Sequence, residues 1–368
     1  MINYIKFVII LKTIIKGVKM IDKNKYVELL NATVNDVNFE HINQLIKYIQ
    51  ENKPKSLFHY RRCSEQSIDA FRENNIFFNT ASNFNDPYDC LVYCDRKAIA
   101  KDIESVGNEG NQAFLNNLVN HPEMINSAPS QISREFLIKL QESIKNGELA
   151  NIVSGIHIEA YAEIKKDLQK AVDTNLEATA SYYQTKMPLV CLSERFNNIL
   201  MWSHYADNHK GFVVEYDSNS LHTKCNQCVE GKDYRTCPNW QATMLLPILY
   251  TNKRYDATSY IVDSTIINIF NQKGLQGLWS FRDNFAQYKI NIHKHNCWSY
   301  EKEWRLQLYN INGSKTIKVK PVAIYLGCRI AKCYEDILVK YANEQNIKIY
   351  KMSENPTKTG YRLTKKKY

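Results

Sequence analysis

Two carboxylates stand two positions apart in Trp298-Ser-Tyr-Glu-Lys-Glu-Trp-Arg305. On a strand, that spacing sends Glu301 and Glu303 to one face. Trp298, Tyr300, Trp304 and Arg305 surround them in sequence. An apolar wall raises a carboxyl pKa and an arginine lowers it, so the octapeptide can hold two acids in a tuned setting. An exposed strand with its charges outward is the plainer reading. It is weakened by tryptophans, which want burial.

A stretch far upstream gives those acids something to face. Leu57-Phe-His-Tyr-Arg61 reads as a strand ending in polar groups, and such an end can point into a cleft. Arg61 offers a planar fork for phosphate or carboxylate, with His59 and Tyr60 beside it. The plainer role for Arg61 is an ion pair within its own sheet. Ser82-Asn-Phe-Asn-Asp-Pro-Tyr-Asp89 is a turn in which Asn and Asp bond their own backbone. Phe84 and Tyr88 either stack on a planar ligand or clamp the loop to the core, with Asn85 and Asp86 between them.

His204 lies in Met201-Trp-Ser-His-Tyr-Ala-Asp-Asn-His209, beside Tyr and Asp, where an imidazole can move protons near neutral pH. His209 is five residues on and falls on another helix face, so the two do not form a joint metal site. Trp202 reads as core. His222, Cys225, Cys228 and Cys237 make a partial structural-zinc pattern. Cys-x-x-Cys is a good half-site, but a second pair is missing, and free thiols in an exposed loop are the alternative.

The elements that must position these groups follow from periodicity. Lys25–Lys53 reads as helix, Ser56–Tyr60 as a strand, Ser64–Asn74 as a capped helix and Ile76–Asn79 as a second strand. Residues 96–183, rich in Glu, Lys, Asn and Ala, read as a helical insertion. Pro188–Ser193 is a buried strand, Asn198–Ala206 a short helix and Gly211–Tyr216 a strand. Residues 218–241 form a cysteine-bearing loop, and Thr258–Lys294 is mostly helix. Glu301–Tyr309, Ile317–Leu326 and Ile347–Lys351 close the set of strands, with Tyr334–Glu344 helical. The order predicts an α+β fold with a mixed, mainly antiparallel sheet core. Residues 1–53 are a tail and helix, 54–352 a single domain, and 353–368 a basic tail.

Net charge is +10 over 368 residues, but two ends without acids carry nearly all of it. Lys6, Lys12, Lys16 and Lys19 lie at one end, and Lys358, Arg362, Lys365, Lys366 and Lys367 at the other. The nearly neutral middle argues against a broad nucleic-acid face. Phe7-Val-Ile-Ile-Leu11 is broken by Lys12, well short of the roughly 20 apolar residues of a membrane span. No small-residue cleavage site follows it, and Met20 is an alternative start. The reading is a cytoplasmic protein whose ten cysteines are thiols or metal ligands.

Phe-His-Tyr-Arg, Asn-Phe-Asn-Asp-Pro-Tyr-Asp, Val-Cys-Leu-Ser-Glu, Met-Trp-Ser-His-Tyr-Ala, Gly-Phe-Val-Val-Glu-Tyr and Tyr-Glu-Lys-Glu-Trp-Arg occur in that order. Together they resemble the bacterial family DUF2971, over about Ser56–Ile330 without the insertion. That family name carries no biochemistry. The order strand–Arg, helix, strand, insertion, strand–Ser and Glu-x-Glu also resembles an ADP-ribosyltransferase. That resemblance implies Arg61 or His59 holding NAD, Ser193 supporting the site, Glu303 bonding the nicotinamide ribose and Glu301 facing the acceptor. Ser193 departs from the usual pattern, standing in Leu-Ser-Glu. The implied activity is NAD-dependent ADP-ribosyl transfer to a protein or nucleic-acid acceptor, or NAD hydrolysis, as in a phage-defence or toxin effector. A nuclease using His204 and a non-enzymatic binding module are the alternatives.

Overall fold

The computed structural model describes residues 21–36, 38–99, 101–102, 138, 141–142, 145–146, 158–221, 241–272, 280–310, 315–357 and 359–368. Helices α1 (Lys23–Ala32) and α2 (Glu40–Asn52) open it, followed by strand β1 (Ser56–Arg61), α3 (Glu65–Arg72) and β2 (Asn75–Phe77). Next come α4 (Ile158–Thr185), β3 (Leu189–Ser193), α5 (Ile199–Tyr205) and β4 (Phe212–Asp217). Then follow β5 (Gln241–Pro247), β6 (Leu249–Thr251), α6 (Thr258–Gln272), α7 (Ala286–Ile292) and β7 (His293–His295). The chain ends with β8 (Glu303–Asn310), β9 (Thr316–Lys318), β10 (Ala323–Leu326), α8 (Lys332–Glu344), β11 (Lys348–Ser353) and β12 (Thr364–Lys367).

Eight strands form one sheet in the order β12-β11-β10-β4-β1-β3-β8-β5. Only β10 and β11 run parallel; the other pairs are antiparallel. This is the expected mixed, mainly antiparallel α+β core. The larger apolar cluster packs α1, α2, α3 and α8 against one face through Leu30, Leu45, Ile49, Phe71 and Leu338. On the other face, Met201 and Trp202 of α5 cover Phe58 and Tyr60.

Strand β8 explains why a site can form. Its even positions Trp304, Leu306 and Leu308 join the larger core. Its odd positions Glu303, Arg305 and Gln307 face the other way, and all three are buried. A strand buried on both faces but polar on one must satisfy those polar groups internally.

Several boundaries differ from the sequence expectation. The first helix is two, separated at Phe39, whose φ of 59° is left-handed. The expected helix over 258–294 divides into α6, α7 and β7, and β2 pairs with β9 outside the main sheet. The basic tail is not loose, because Thr364–Lys367 pairs antiparallel with β11. Among the described residues, no helix is long and apolar enough to cross a membrane.

Candidate functional site

Glu301 is not on the strand. It ends a 3-10 turn, Asn296–Glu301, and Lys302 follows with a left-handed φ of 47°. That conformation disfavours a residue with a Cβ, so neighbours must hold it. They do: the Ser193 hydroxyl donates to the Glu301 carbonyl at 2.6 Å, and Glu194 N–H donates to the Lys302 carbonyl at 3.0 Å. The two carboxylates meet despite the turn, because β7 delivers Lys294 between them. Its Nζ donates to Glu301 Oε2 at 2.7 Å and to Glu303 Oε2 at 2.9 Å.

Loop 82–89 supplies the third acid. Asp86 accepts the Tyr88 N–H at 2.9 Å, which sets the turn and carries Asp89 inward. Arg305 donates Nη1 to Asp89 Oδ1 at 2.8 Å and Nη2 to Asp89 Oδ2 at 3.0 Å. It also bonds Glu303 Oε1 through Nη2 at 2.8 Å and the Asn291 carbonyl through Nη1 at 2.5 Å. Phe84 covers the guanidinium, 5.8 Å from ring centre to Cζ. Lys294 lies 3.5 Å from Asp89 Oδ2. Three carboxyl groups therefore share two cationic side chains.

The two glutamates are pushed apart. Burial and the nearby Glu303 charge raise Glu301 to about 7, against the opposing pull of Lys294 and a bond from the Tyr205 hydroxyl. Burial also disfavours ionised Glu303, but Arg305 and Lys294 outweigh it and hold that carboxyl well below its usual range. Lys294 is raised well above the ordinary lysine value, because Glu303, Asp89 and Glu301 outweigh its burial. Tyr205 Oη also lies 3.2 Å from Asn85 Oδ1, and Tyr250 Oη accepts the Glu303 N–H at 2.8 Å. The arrangement sets a Glu301 that holds its proton more tightly than usual beside a Glu303 that holds its proton less tightly.

A cavity of about 380 Å³ opens onto Lys294. Its aromatic lining includes Tyr88, Tyr93 and Trp298, and its basic lining includes Lys253 and Arg254. Arg254 fixes one wall by donating to the Leu91 and Val92 carbonyls at 2.6 and 3.0 Å, with its guanidinium over Tyr88 and Tyr93. Lys294 stands 5.3 Å from the Trp298 ring centre.

Of the residues singled out in the sequence, Asp86 and Tyr88 line the cavity. Glu301, Glu303, Ser193, Phe84 and Asn85 belong to the ionic network behind Lys294 or to its immediate surroundings. Ser193 holds backbone rather than projecting into the cavity. Arg61 does not join them. Phe58 pairs with Ser193, and Ser193 with Glu303, so these three share a face. Arg61 is three residues from Phe58 and points to the opposite face, beside Phe212. His59 shares that face, with its Nδ1 buried and without a hydrogen-bond partner. Tyr60 is on the Phe58 side but serves the core, edge-on to Trp202 and donating to the Arg195 carbonyl at 2.7 Å. His204 is exposed, with its ring 6.4 and 6.3 Å from those of Tyr205 and Tyr300. His222, Cys225, Cys228 and Cys237 lie outside the described residues. Among the described residues, no group of three or more His, Cys, Asp or Glu is placed to hold a metal.

Lys294, Asp89, Tyr205 and Arg254 were not expected as site residues. Asp89 ends a loop that was singled out. Lys294 sits between two histidines at the end of an apolar helix, a place where a lysine needs a partner.

A family model described as "Protein of unknown function (DUF2971)" matches residues 201–306. The matched segment runs from α5 into β8 and contains Tyr205, Arg254, Lys294, Glu301, Glu303 and Arg305. No curated protein and no solved structure matches the chain.

Proposed function

We propose that the cavity over Lys294 is an active site for an anionic, ring-bearing small molecule, with NAD as the first candidate. The reaction is cleavage of its ribosyl bond, by hydrolysis or by transfer to an acceptor. The observation that carries this reading is the charge arrangement around Glu301, where three carboxyl groups share two cations. A proton on Glu301 brings the group towards balance, and a cation arriving there replaces the proton. Ribosyl-bond cleavage develops positive charge on the sugar, which is the species such a group favours.

The likeness to an ADP-ribosyltransferase is supported by Glu303 beside Ser193, and it loses Arg61. The phosphate-facing positive charge is assigned instead to Lys253 and Arg254 on the cavity wall. Ligand cavities span roughly 300–1,000 Å³. At about 380 Å³ this one holds half of a dinucleotide, with the rest across the rim. Lys294 stands between the cavity and the 3% exposed Glu301, so an anionic group that takes the ammonium frees the carboxyl. A second reading, binding without catalysis, draws on the closure of the same network, since Arg305 is engaged through all three of its nitrogens.

The test is incubation of the folded chain with NAD, following nicotinamide release and heat of binding. Release that Glu301→Gln abolishes while binding persists supports the enzyme. Binding without release supports the second reading, and the absence of both binding and release sinks the NAD assignment.

A further inference from the structure

The sheet face that carries Glu303 also carries a row of rings towards its other edge. Tyr325 of β10 stacks on Phe196 at 4.8 Å and on Tyr350 of β11 at 5.0 Å, with interplanar angles of 24° and 23°. Phe58 meets Tyr325 edge-on at 5.8 Å. Onto this shelf β12 places Lys365, its Nζ 4.3 Å from the Tyr350 centroid, 4.9 Å from Phe196 and 5.1 Å from Tyr325. The ammonium is also 3.2 Å from Tyr325 Oη. That hydroxyl donates its proton to Glu215 Oε2 at 2.7 Å, so it turns a lone pair to the lysine. Ser56 holds the other carboxylate oxygen at 2.6 Å.

We propose that this shelf is a binding site for an alkylammonium group carried on an extended segment, and that β12 fills it in cis. Each of three rings lies within about 6 Å of the charge, the range in which aromatic faces attract cations. Behind them, the Glu215 carboxyl group orients the Tyr325 hydroxyl so that its oxygen faces the ammonium. The site thus recognises charge and shape together. A methylated ammonium gives up the hydrogen bond to Tyr325 Oη but is less strongly hydrated and has more surface to lay on the rings, and the balance favours it over a bare one.

The way β12 is attached points to an exchangeable occupant. The strand has four residues, sits at the edge of the sheet and, among the described residues, pairs with β11 alone. Leu363 and Lys365 are two apart and share a face, and Leu363 is 5% exposed in the cluster that holds Met352 and Tyr325. The residues described between Ser353 and Leu363 are exposed apart from half-buried Asn355. A leucine anchor, a lysine two positions on and a ladder to an edge strand are how an extended peptide docks on a sheet. A lysine-bearing segment from another chain meets the same three features.

The full chain is titrated with tetramethylammonium and, as an uncharged probe of similar shape, tert-butanol, with binding followed by NMR. The Lys365→Ala chain is expected to bind the cation about tenfold more tightly than the parent, because its shelf is vacated, and to ignore the alcohol. Phe196→Ala in the same background removes the gain. Lys365→Met, which refills the shelf with an uncharged chain, shows none. In a second arm, the peptide Tyr361–Tyr368 binds the Leu363→Ser chain, and trimethylation at Lys365 of the peptide tightens it. Equal binding of cation and alcohol, no binding by a folded Lys365→Ala chain, or no capture of the peptide overturns the proposal.

Discussion

Arg305 and Asp89 are joined by two parallel hydrogen bonds of 2.8 and 3.0 Å, between residues 216 positions apart in the chain. The pair fastens loop 82–89 to β8 in a place where neither partner reaches water. Removing one partner of a buried pair costs about 3–5 kcal/mol, because the other charge is left uncompensated. Arg305→Met strands both Asp89 and Glu303, with only Lys294 to share. It is expected to lower stability to urea by that amount. Asp89→Asn costs less, since Arg305 keeps Glu303. The double variant falls short of the sum of the two, the mark of a coupled pair. Additive losses would show that the clamp contributes little.

Glu301 makes stability depend on pH in a direction unusual for a glutamate. Its pKa rises from 4.5 to about 7 on folding, chiefly through burial. The folded chain therefore holds a proton that the unfolded chain has released. Stability from this group is full below pH 4.5 and falls as pH rises to about 7. Glu303 acts oppositely, since its lowered pKa stabilises the fold above the ordinary glutamate range and that contribution is lost in acid. Urea midpoints measured at intervals from pH 5 to 8 should fall in the parent relative to Glu301→Gln. Parallel profiles would show that Glu301 titrates normally.

Part of the site was legible in the sequence, because the tryptophans beside Glu301 and Glu303 want burial. The alternation of Glu303, Arg305 and Gln307 with Trp304, Leu306 and Leu308 fits a solvated polar face equally well, and only the structure shows both faces buried. The loop around Phe84 to Asp86 was also marked by its residues. Lys294 was hidden, because its importance lies in contacts with a turn seven residues away and with Asp89, and periodicity shows neither. The left-handed Lys302 was equally invisible, so both acids were placed on one strand. Arg61 was misplaced for a simpler reason. Strand parity assigns faces only once the register is known, and that register puts Phe58, not Arg61, on the Glu303 side.

That register yields a prediction that separates the ionic cluster from β1. Arg61 is half-buried on the far face, where burial lowers its pKa and Tyr216 opposes the shift. Arg61→Met keeps the length of the side chain and removes the charge. Ligand binding and turnover at the Lys294 cavity should stay within about twofold of the parent, well under the roughly 1.4 kcal/mol that marks a tenfold change. A loss of binding with the fold intact would place the guanidinium at the site after all.

The neighbours of Glu301 should move its titration in opposite senses. Glu303 raises it by like-charge repulsion, while Lys294 and the Tyr205 hydroxyl lower it. Glu303→Gln therefore brings the Glu301 titration down, towards its ordinary value. Lys294→Met drives it up, because burial is left with less to oppose it. Tyr205→Phe also drives it up, by less, since it removes a hydrogen bond and no charge. The carboxyl carbon of labelled glutamate, followed by NMR across pH 4 to 9, reports each shift. In an active enzyme the same order should appear in the pH dependence of turnover, with the inflection near 7 in the parent and displaced upward in Tyr205→Phe. A profile that ignores Tyr205→Phe while the carboxyl resonance moves would remove Glu301 from the reaction and leave it as part of the scaffold.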